Sequence, residues 1–293
     1  MRGTRIEVVP DILMNLADAN NRLGKLDIGA AWYRRALLMC DSLHMASTKK
    51  PPIYYGLAQV YVTMRDFEQC DYYYNLAGES YDNMLPYEKY IYLNNRGTSY
   101  YYREDYQTAI KYFQKVIDLV EGYDDMSFEL NLGRLNLGDC YLQLNMVDLA
   151  VKYINECQLF FEEMGVSTAL YYIDTQKIEL ALLQKDFQEA RRLLSESVVP
   201  PGIDPDMVHI RNKYLQQFYE ETGNYKRAYH YLQRNNLLDD SIRNERVRMR
   251  TADLTLRYQQ DSTLMAHRVL LQEQKNEVLV LRQTQFVVFA VAV

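Results

Sequence analysis

The chain has little of what most catalytic, metal-binding or nucleic-acid-binding proteins display. Its 293 residues include one tryptophan, four histidines and four cysteines. Cys40, Cys70, Cys140 and Cys157 form no CxxC pair that would mark a zinc site or a disulfide framework. His44, His209, His230 and His267 stand apart from one another and read as packed or solvated helix residues. There is no GxxxxGK, HExxH, GxSxG or EF-hand pattern, so no catalytic residue, cofactor or metal is assigned. The acidic pairs Asp124-Asp125, Glu162-Glu163, Glu220-Glu221 and Asp239-Asp240 are sequence neighbours, which point to different helix faces and read as loop solvation and capping. Positive charge is also short: 33 Lys and Arg against 39 Asp and Glu leave a net charge of −6. That sign opposes a phosphate-rich partner and argues against nucleic acid. The first residues lack the apolar core of an export signal, because Glu7, Pro10 and Asp11 interrupt it.

What is plentiful is tyrosine, 27 in all, and its spacing follows a repeat. Six stretches carry a small residue, Gly29, Cys70, Ala109, Ala150, Ala190 and Ala228, at intervals of 41, 39, 41, 40 and 38 residues. Three positions before each stands a large residue (Leu26, Phe67, Tyr106, Val147, Phe187, Tyr225), and four after stands another (Tyr33, Tyr74, Phe113, Ile154, Leu194, Leu232). Offsets of three and four share one helical face. Twelve positions before the small residue lies a second column, Ala17, Ala58, Gly97, Gly138, Ile178 and Gln216. Nine before it lies a third, Asn20, Tyr61, Tyr100, Tyr141, Ala181 and Tyr219. These belong to a preceding helix. Turn signals at Gly24, Arg65-Asp66, Glu104-Asp105, Asn145, Lys185-Asp186 and Gly223-Asn224 separate the two. Each unit is therefore expected to be a helical hairpin whose small residues let the helices approach. The column tyrosines Tyr33, Tyr61, Tyr74, Tyr100, Tyr106, Tyr141, Tyr219 and Tyr225 are expected in the core.

Over residues 11 to 236 this pattern resembles the tetratricopeptide-repeat family. The resemblance implies an all-α, right-handed superhelical solenoid of about six hairpins, occupying residues 1–236. The chain departs from the family at the first-helix tryptophan, replaced by Leu13, Tyr54, Leu93, Arg134, Asp174 and Asn212, and in a period longer than the usual repeat of about 34 residues. The three prolines of residues 198–206 cannot continue a helix and interrupt the array between the fifth and sixth units. The family's first helices line a concave groove, and there the inner positions are Tyr55, Gln59, Asn94, Thr98, Tyr101, Leu135, Asp139 and Gln143. Mixed aromatic, amide and carboxylate groups suit an extended peptide or protein segment.

Residues 237–285 contain neither proline nor glycine and are expected to form one long helix. Apolar residues at Leu264, Leu271, Val278 and Leu281, broken by His267 and Gln274, suggest a weak coiled coil, hence a homodimer, or a helix packed on the solenoid. The chain then enters eight apolar residues, 286–293, among them Phe286, Val287, Val288 and Phe289. Two readings follow: the truncated start of a transmembrane helix, or a plug against the last repeat. A repeat domain, a long helix and a membrane entry resemble the sensor regions of bacterial membrane-bound regulators, transcriptional regulators or histidine kinases. That resemblance implies a non-enzymatic, membrane-anchored signalling protein with its repeats in the periplasm. The competing expectation is a soluble cytoplasmic adaptor or peptide-controlled regulator.

Overall fold

The computed structural model describes the backbone of residues 6–45, 49–196 and 199–291 and the side chains of residues 7–45, 49–195 and 199–279. After a 3-10 turn at Ile6–Val8, twelve α-helices follow: α1 (Val9–Arg22), α2 (Leu26–Ser42), α3 (Pro51–Thr63), α4 (Phe67–Gly78), α5 (Pro86–Tyr101), α6 (Tyr106–Val120), α7 (Ser127–Gln143), α8 (Val147–Met164), α9 (Ser167–Leu183), α10 (Phe187–Glu196), α11 (Pro205–Glu221) and α12 (Tyr225–Val291). They pair in order into six hairpins, and no strand occurs among the described residues. The odd-numbered helices also pack on one another from α3 to α11, forming the inner layer of an all-α solenoid.

The hairpin turns explain why the repeat is readable. Residues five before each small-column position, namely Gly24, Arg65, Glu104, Asn145, Lys185 and Gly223, all have φ between 56° and 77°. Each lets the next amide fold back onto the third column's carbonyl: Lys25 donates to Asn20, Asp66 to Tyr61, Asp105 to Tyr100, Met146 to Tyr141, Asp186 to Ala181 and Asn224 to Tyr219, at 2.7–3.1 Å. This is the Schellman ending of a helix. In four turns the next residue caps the second helix: Asp66, Asp105, Asp186 and Asn224 accept from the amides of Gln69, Thr108, Glu189 and Arg227. One short turn thus ends a helix, reverses the chain and starts the next.

The small columns are buried throughout: Cys70, Ala109, Ala150 and Ala190 have no exposed surface, and Ala17 and Ala58 match them on the first helices. At Gly97 an added Cβ would sit 2.7 Å from the Phe113 ring, which is itself 1% exposed. Gly97→Val is therefore expected to overpack the third hairpin and lower stability by about 1–3 kcal/mol. Gly122→Ala, where a Cβ meets nothing within 4 Å, serves as the control, both read by urea unfolding.

Two expectations need correction. The large residues of the sixth unit are not core: Ala228 is buried, but Tyr225 is 72% exposed and Leu232 37%, and the column tyrosines Tyr100, Tyr106, Tyr141 and Tyr219 are only half-buried. Among the described residues no further hairpin stacks on this face of the sixth. The membrane anchor and periplasmic placement are also overturned, because among the described residues no helix is long and apolar enough to cross a membrane. A run of eight apolar residues spans about 12 Å as helix, against a hydrocarbon core of about 30 Å. The helix before it is polar. Phe286, Val287, Val288 and Phe289 fall in the last turns of α12, and their side chains lie outside the described residues.

Across residue 237 the backbone is continuous, since the second helix of the sixth hairpin and the long helix are one element, α12. It leaves α11 and returns to the first hairpin, packing on α2. Met249 joins the core of the first two hairpins. Arg34 Nη1 donates to Asp253 at 2.7 Å and to the Tyr61 hydroxyl at 2.8 Å, and Tyr61 donates to Asp253 at 3.1 Å. Arg34 Nε donates to Gln260 at 2.8 Å, while Gln260 Nε2 donates to the Ala31 carbonyl at 3.3 Å. The last helix thereby ties both ends of the array together. Beyond this contact Leu264 is half-buried, whereas Leu271 and Val278 are exposed.

Candidate functional site

The inner faces of the odd helices enclose adjoining chambers. The largest, about 700 Å³, lies between α1, α3, α5, α11 and α12 and is lined by Gln59, Thr63, Thr98, Tyr102, Ile242 and Met249 among others. A second, about 470 Å³, lies between α5, α7, α9 and α11 and presents Tyr101, Asp139, Gln143, Tyr172, Glu179 and Tyr214. Both border a charged clamp in which Arg65 Nη2 reaches Asp206 Oδ2 at 3.1 Å and Arg246 binds the same oxygen. The Arg65 guanidinium also lies 3.5 Å from the centre of the Tyr102 ring. A smaller chamber of about 300 Å³ is bounded by Asn94, Thr98, Leu132, Leu135, Asn136 and Tyr172.

Seven of the eight expected inner residues line these spaces. Thr98 borders the largest and the smallest of the three, Gln59 the largest, Tyr101, Asp139 and Gln143 the acidic one of about 470 Å³, and Asn94 and Leu135 the smallest. Asn94 accepts from Asn136 Nδ2 at 3.0 Å, linking α5 to α7. Tyr55 lies apart, half-buried against the first core. Burial, with Glu88 and Asp18 nearby, pushes its hydroxyl up to about 12.

The residues that sequence reading passed over obey the same spacing. Asp18, Gln59, Thr98, Asp139, Glu179 and Gln217 all lie eleven positions before the small column, and Tyr55, Asn94, Leu135, Thr175 and Lys213 fifteen before it. Continuing the two columns into the fifth and sixth hairpins would have found Thr175, Glu179 and Lys213. Gln176 and Tyr214 follow a further offset, fourteen before the small column with Asn136, and Tyr172 another, eighteen before it with Leu132 and Ile210; Ile242, Arg246 and Met249 have no such signal and arrive only because α12 folds back.

The acidic chamber is electrostatically unusual. Asp139 and Glu179 come from successive inner helices and, among the described residues, neither forms an ion pair. Burial, reinforced by the Glu179 charge, pushes the Asp139 carboxyl from 3.8 up to about 7, against opposing hydrogen bonds from Tyr101 and Gln143. Burial likewise raises Glu179, opposed by hydrogen bonds from Tyr214 and Gln143 and by the Lys213 charge. Gln143 Nε2 is 3.2 Å from both Glu179 oxygens. The neighbouring Cys140 is fully buried and its thiol is pushed up by that burial, which makes it a poor nucleophile. No group of three His, Cys, Asp or Glu among the described residues could hold a metal ion.

Models of the tetratricopeptide repeat match residues 90–123 and 133–159. These stretches cover most of the third hairpin and much of the fourth. The chain is 26% identical over 163 residues to the anaphase-promoting complex subunit CDC16 of Saccharomyces cerevisiae, covering 54% of this chain and 18% of that relative. It therefore spans less than a fifth of that protein's length. Two solved structures share the fold. BtubC (BKLC) of P. vanneervenii has a TM-score of 0.51 at 14% identity, over 82% of this chain and 93% of the other. The pilF protein of Pseudomonas aeruginosa has a TM-score of 0.51 at 18% identity, over 79% and 93%.

Proposed function

We propose that this tetratricopeptide-repeat protein is a non-catalytic interaction scaffold, an adaptor or peptide-controlled regulator that holds an extended segment of a partner protein inside its superhelix. The observation that carries this reading is the inner cavity, whose largest chamber, about 700 Å³, is bounded by helices from both ends of the array. An extended segment brings unpaired backbone amides and carbonyls together with alternating side chains. Hydroxyl and amide groups at Thr98, Gln59, Asn94 and Asn136 meet the first need, and the space beside Ile242 and Met249 meets the second. A relative named as a subunit of a larger complex fits the same role.

The test is to fill the cavity from within. Thr98 stands between two of the chambers, so Thr98→Trp should weaken binding of degenerate octapeptide pools at least tenfold while the circular dichroism spectrum and cooperative unfolding are retained. Gln59→Trp fills the largest chamber independently. Undiminished binding by both folded variants would overturn the reading.

A further inference from the structure

The acidic chamber is more specific than a generic peptide groove. Five carboxylates, Glu104, Asp139, Glu179, Asp206 and Asp239, border it against the three fixed cations Arg65, Lys213 and Arg246. Arg65 and Arg246 are both engaged by Asp206. Lys213 is exposed and acts on Glu179 from α11. Asp139 and Glu179 are thus left with neutral donors only: the Tyr101 hydroxyl on Asp139, the Tyr214 hydroxyl on Glu179, and Gln143.

A second observation points the same way. Gln176, 6% exposed, lines the same chamber, commits its Nε2 to the Leu135 carbonyl at 3.1 Å, and leaves Oε1 without a hydrogen-bond partner. A buried acceptor in that state is costly unless a ligand supplies a donor. Two carboxylates and an orphaned amide oxygen, walled by the Tyr101, Tyr172 and Tyr214 rings, form a set of acceptors with aromatic faces. Only a cationic, multi-donor group satisfies both features, through charge-assisted hydrogen bonds and cation–π contact.

We propose that this chamber receives a basic side chain, lysine or arginine, of the partner segment, with Asp139 and Glu179 as its paired counter-charges and Gln176 Oε1 as a further acceptor. The Tyr101 and Tyr214 hydroxyls each hold one carboxylate, and their rings, with that of Tyr172, supply the aromatic faces for the incoming cation. The proposal rests on the scaffold reading, since it names the chemistry that the same cavity selects.

The experiment uses the full chain and four degenerate hexapeptide pools that differ at one position: lysine, arginine, norleucine or citrulline. Affinities come from fluorescence anisotropy competition. Expected are at least tenfold tighter binding of the lysine pool than the norleucine pool and of the arginine pool than the citrulline pool, and loss of both preferences in the Asp139→Asn/Glu179→Gln variant. If that double variant does not fold, Glu179→Gln alone should shrink the preference at least threefold. Equal affinity for all pools, with binding still sensitive to Thr98→Trp, would overturn the basic-side-chain proposal and leave the scaffold reading standing. A preference that survives in the folded charge variants would also overturn it, because the charge would be read elsewhere. Binding indifferent to Thr98→Trp, or no binding by any pool, would remove the scaffold reading and this proposal together.

Discussion

Asp253→Ala should detach α12 from the first two hairpins and lower global stability by about 3–5 kcal/mol. Asp253 is 1% exposed, and its carboxylate meets Arg34 at 2.7 Å, Tyr61 at 3.1 Å and Arg257 at 3.2 Å. Truncation leaves two guanidinium groups and a buried phenol facing a void. The Arg34 side chain is only 11% exposed, so water cannot replace the lost partner where it stands. Breaking one side of a buried ion pair costs far more than the net value of the pair, which is why the single substitution is the informative one. Arg34→Met/Asp253→Leu, which removes the more deeply buried pair and keeps the volume, should recover part of the loss, because the remaining Arg257 side chain is 21% exposed and can turn to water. Arg243→Ala breaks an exposed pair with Asp239 on the same helix and should leave the unfolding midpoint unchanged. Urea unfolding checks the magnitudes. Hydrogen exchange checks the mechanism: amides of residues 246–260 should lose protection in Asp253→Ala at denaturant concentrations where α5 to α8 remain protected. Uniform loss across the chain would mean that α12 is no separate strap.

That strap marks the boundary of what the sequence shows. The hairpins were legible because each is local: a left-handed residue such as Lys185, the capping Asp186 and the small Ala190 follow within six positions, and every neighbour repeats the arrangement. The inner-face residues were legible for the same reason, as far as the two columns were followed. Tyr55 was misplaced because the first two hairpins use that position against their own core. The return of α12 is a different kind of fact. Arg34 and Asp253 are 219 residues apart, and nothing periodic relates them; the contact exists only because the superhelix brings its two ends within reach of one helix. Read without that partner, residues 237–285 offered a coiled-coil seam, and the run after them suggested a bilayer. The exposed columns of the sixth hairpin have the same origin, since a repeat predicts burial only where another repeat follows.

The second large effect concerns pH and has an unusual sign. Asp139 has its carboxyl raised from 3.8 to about 7 in the folded chain, while in the unfolded chain it ionises near 3.9. Between these values the native state holds a proton that the unfolded state has released, so stability falls as pH rises from about 4 to about 7. Burial sets this first, reinforced by the Glu179 charge from α9 and opposed by hydrogen bonds from Tyr101 on α5 and Gln143 on its own helix; Glu104, Tyr106, Tyr172, Asp206, His209, Lys213, Tyr214, Asp239 and the cations Arg65 and Arg246 line the same chamber. A rise from 3.8 to about 7 sets a ceiling of about 4 kcal/mol; a half-buried group open to the chamber should realise about 2–3 kcal/mol. Asp139→Asn fixes the neutral form and keeps an acceptor for the Tyr101 hydroxyl. It should therefore be about 2–3 kcal/mol more stable than the unaltered chain at pH 8, with the difference closing by pH 4, as measured by urea unfolding at both values. Equal stability at pH 8 would show that the carboxylate is not held in a costly environment. A substitution that stabilises a protein by removing one charge identifies a residue whose environment conflicts with folding, and such conflicts concentrate where a protein keeps a group for binding. A basic side chain entering the chamber would pull Asp139 back to its ionised form, releasing a proton on binding. Affinity for the lysine pool should then rise with pH up to about 7, and its addition at pH 8 should raise the melting temperature of the unaltered chain more than that of Asp139→Asn, which keeps only Glu179 as counter-charge.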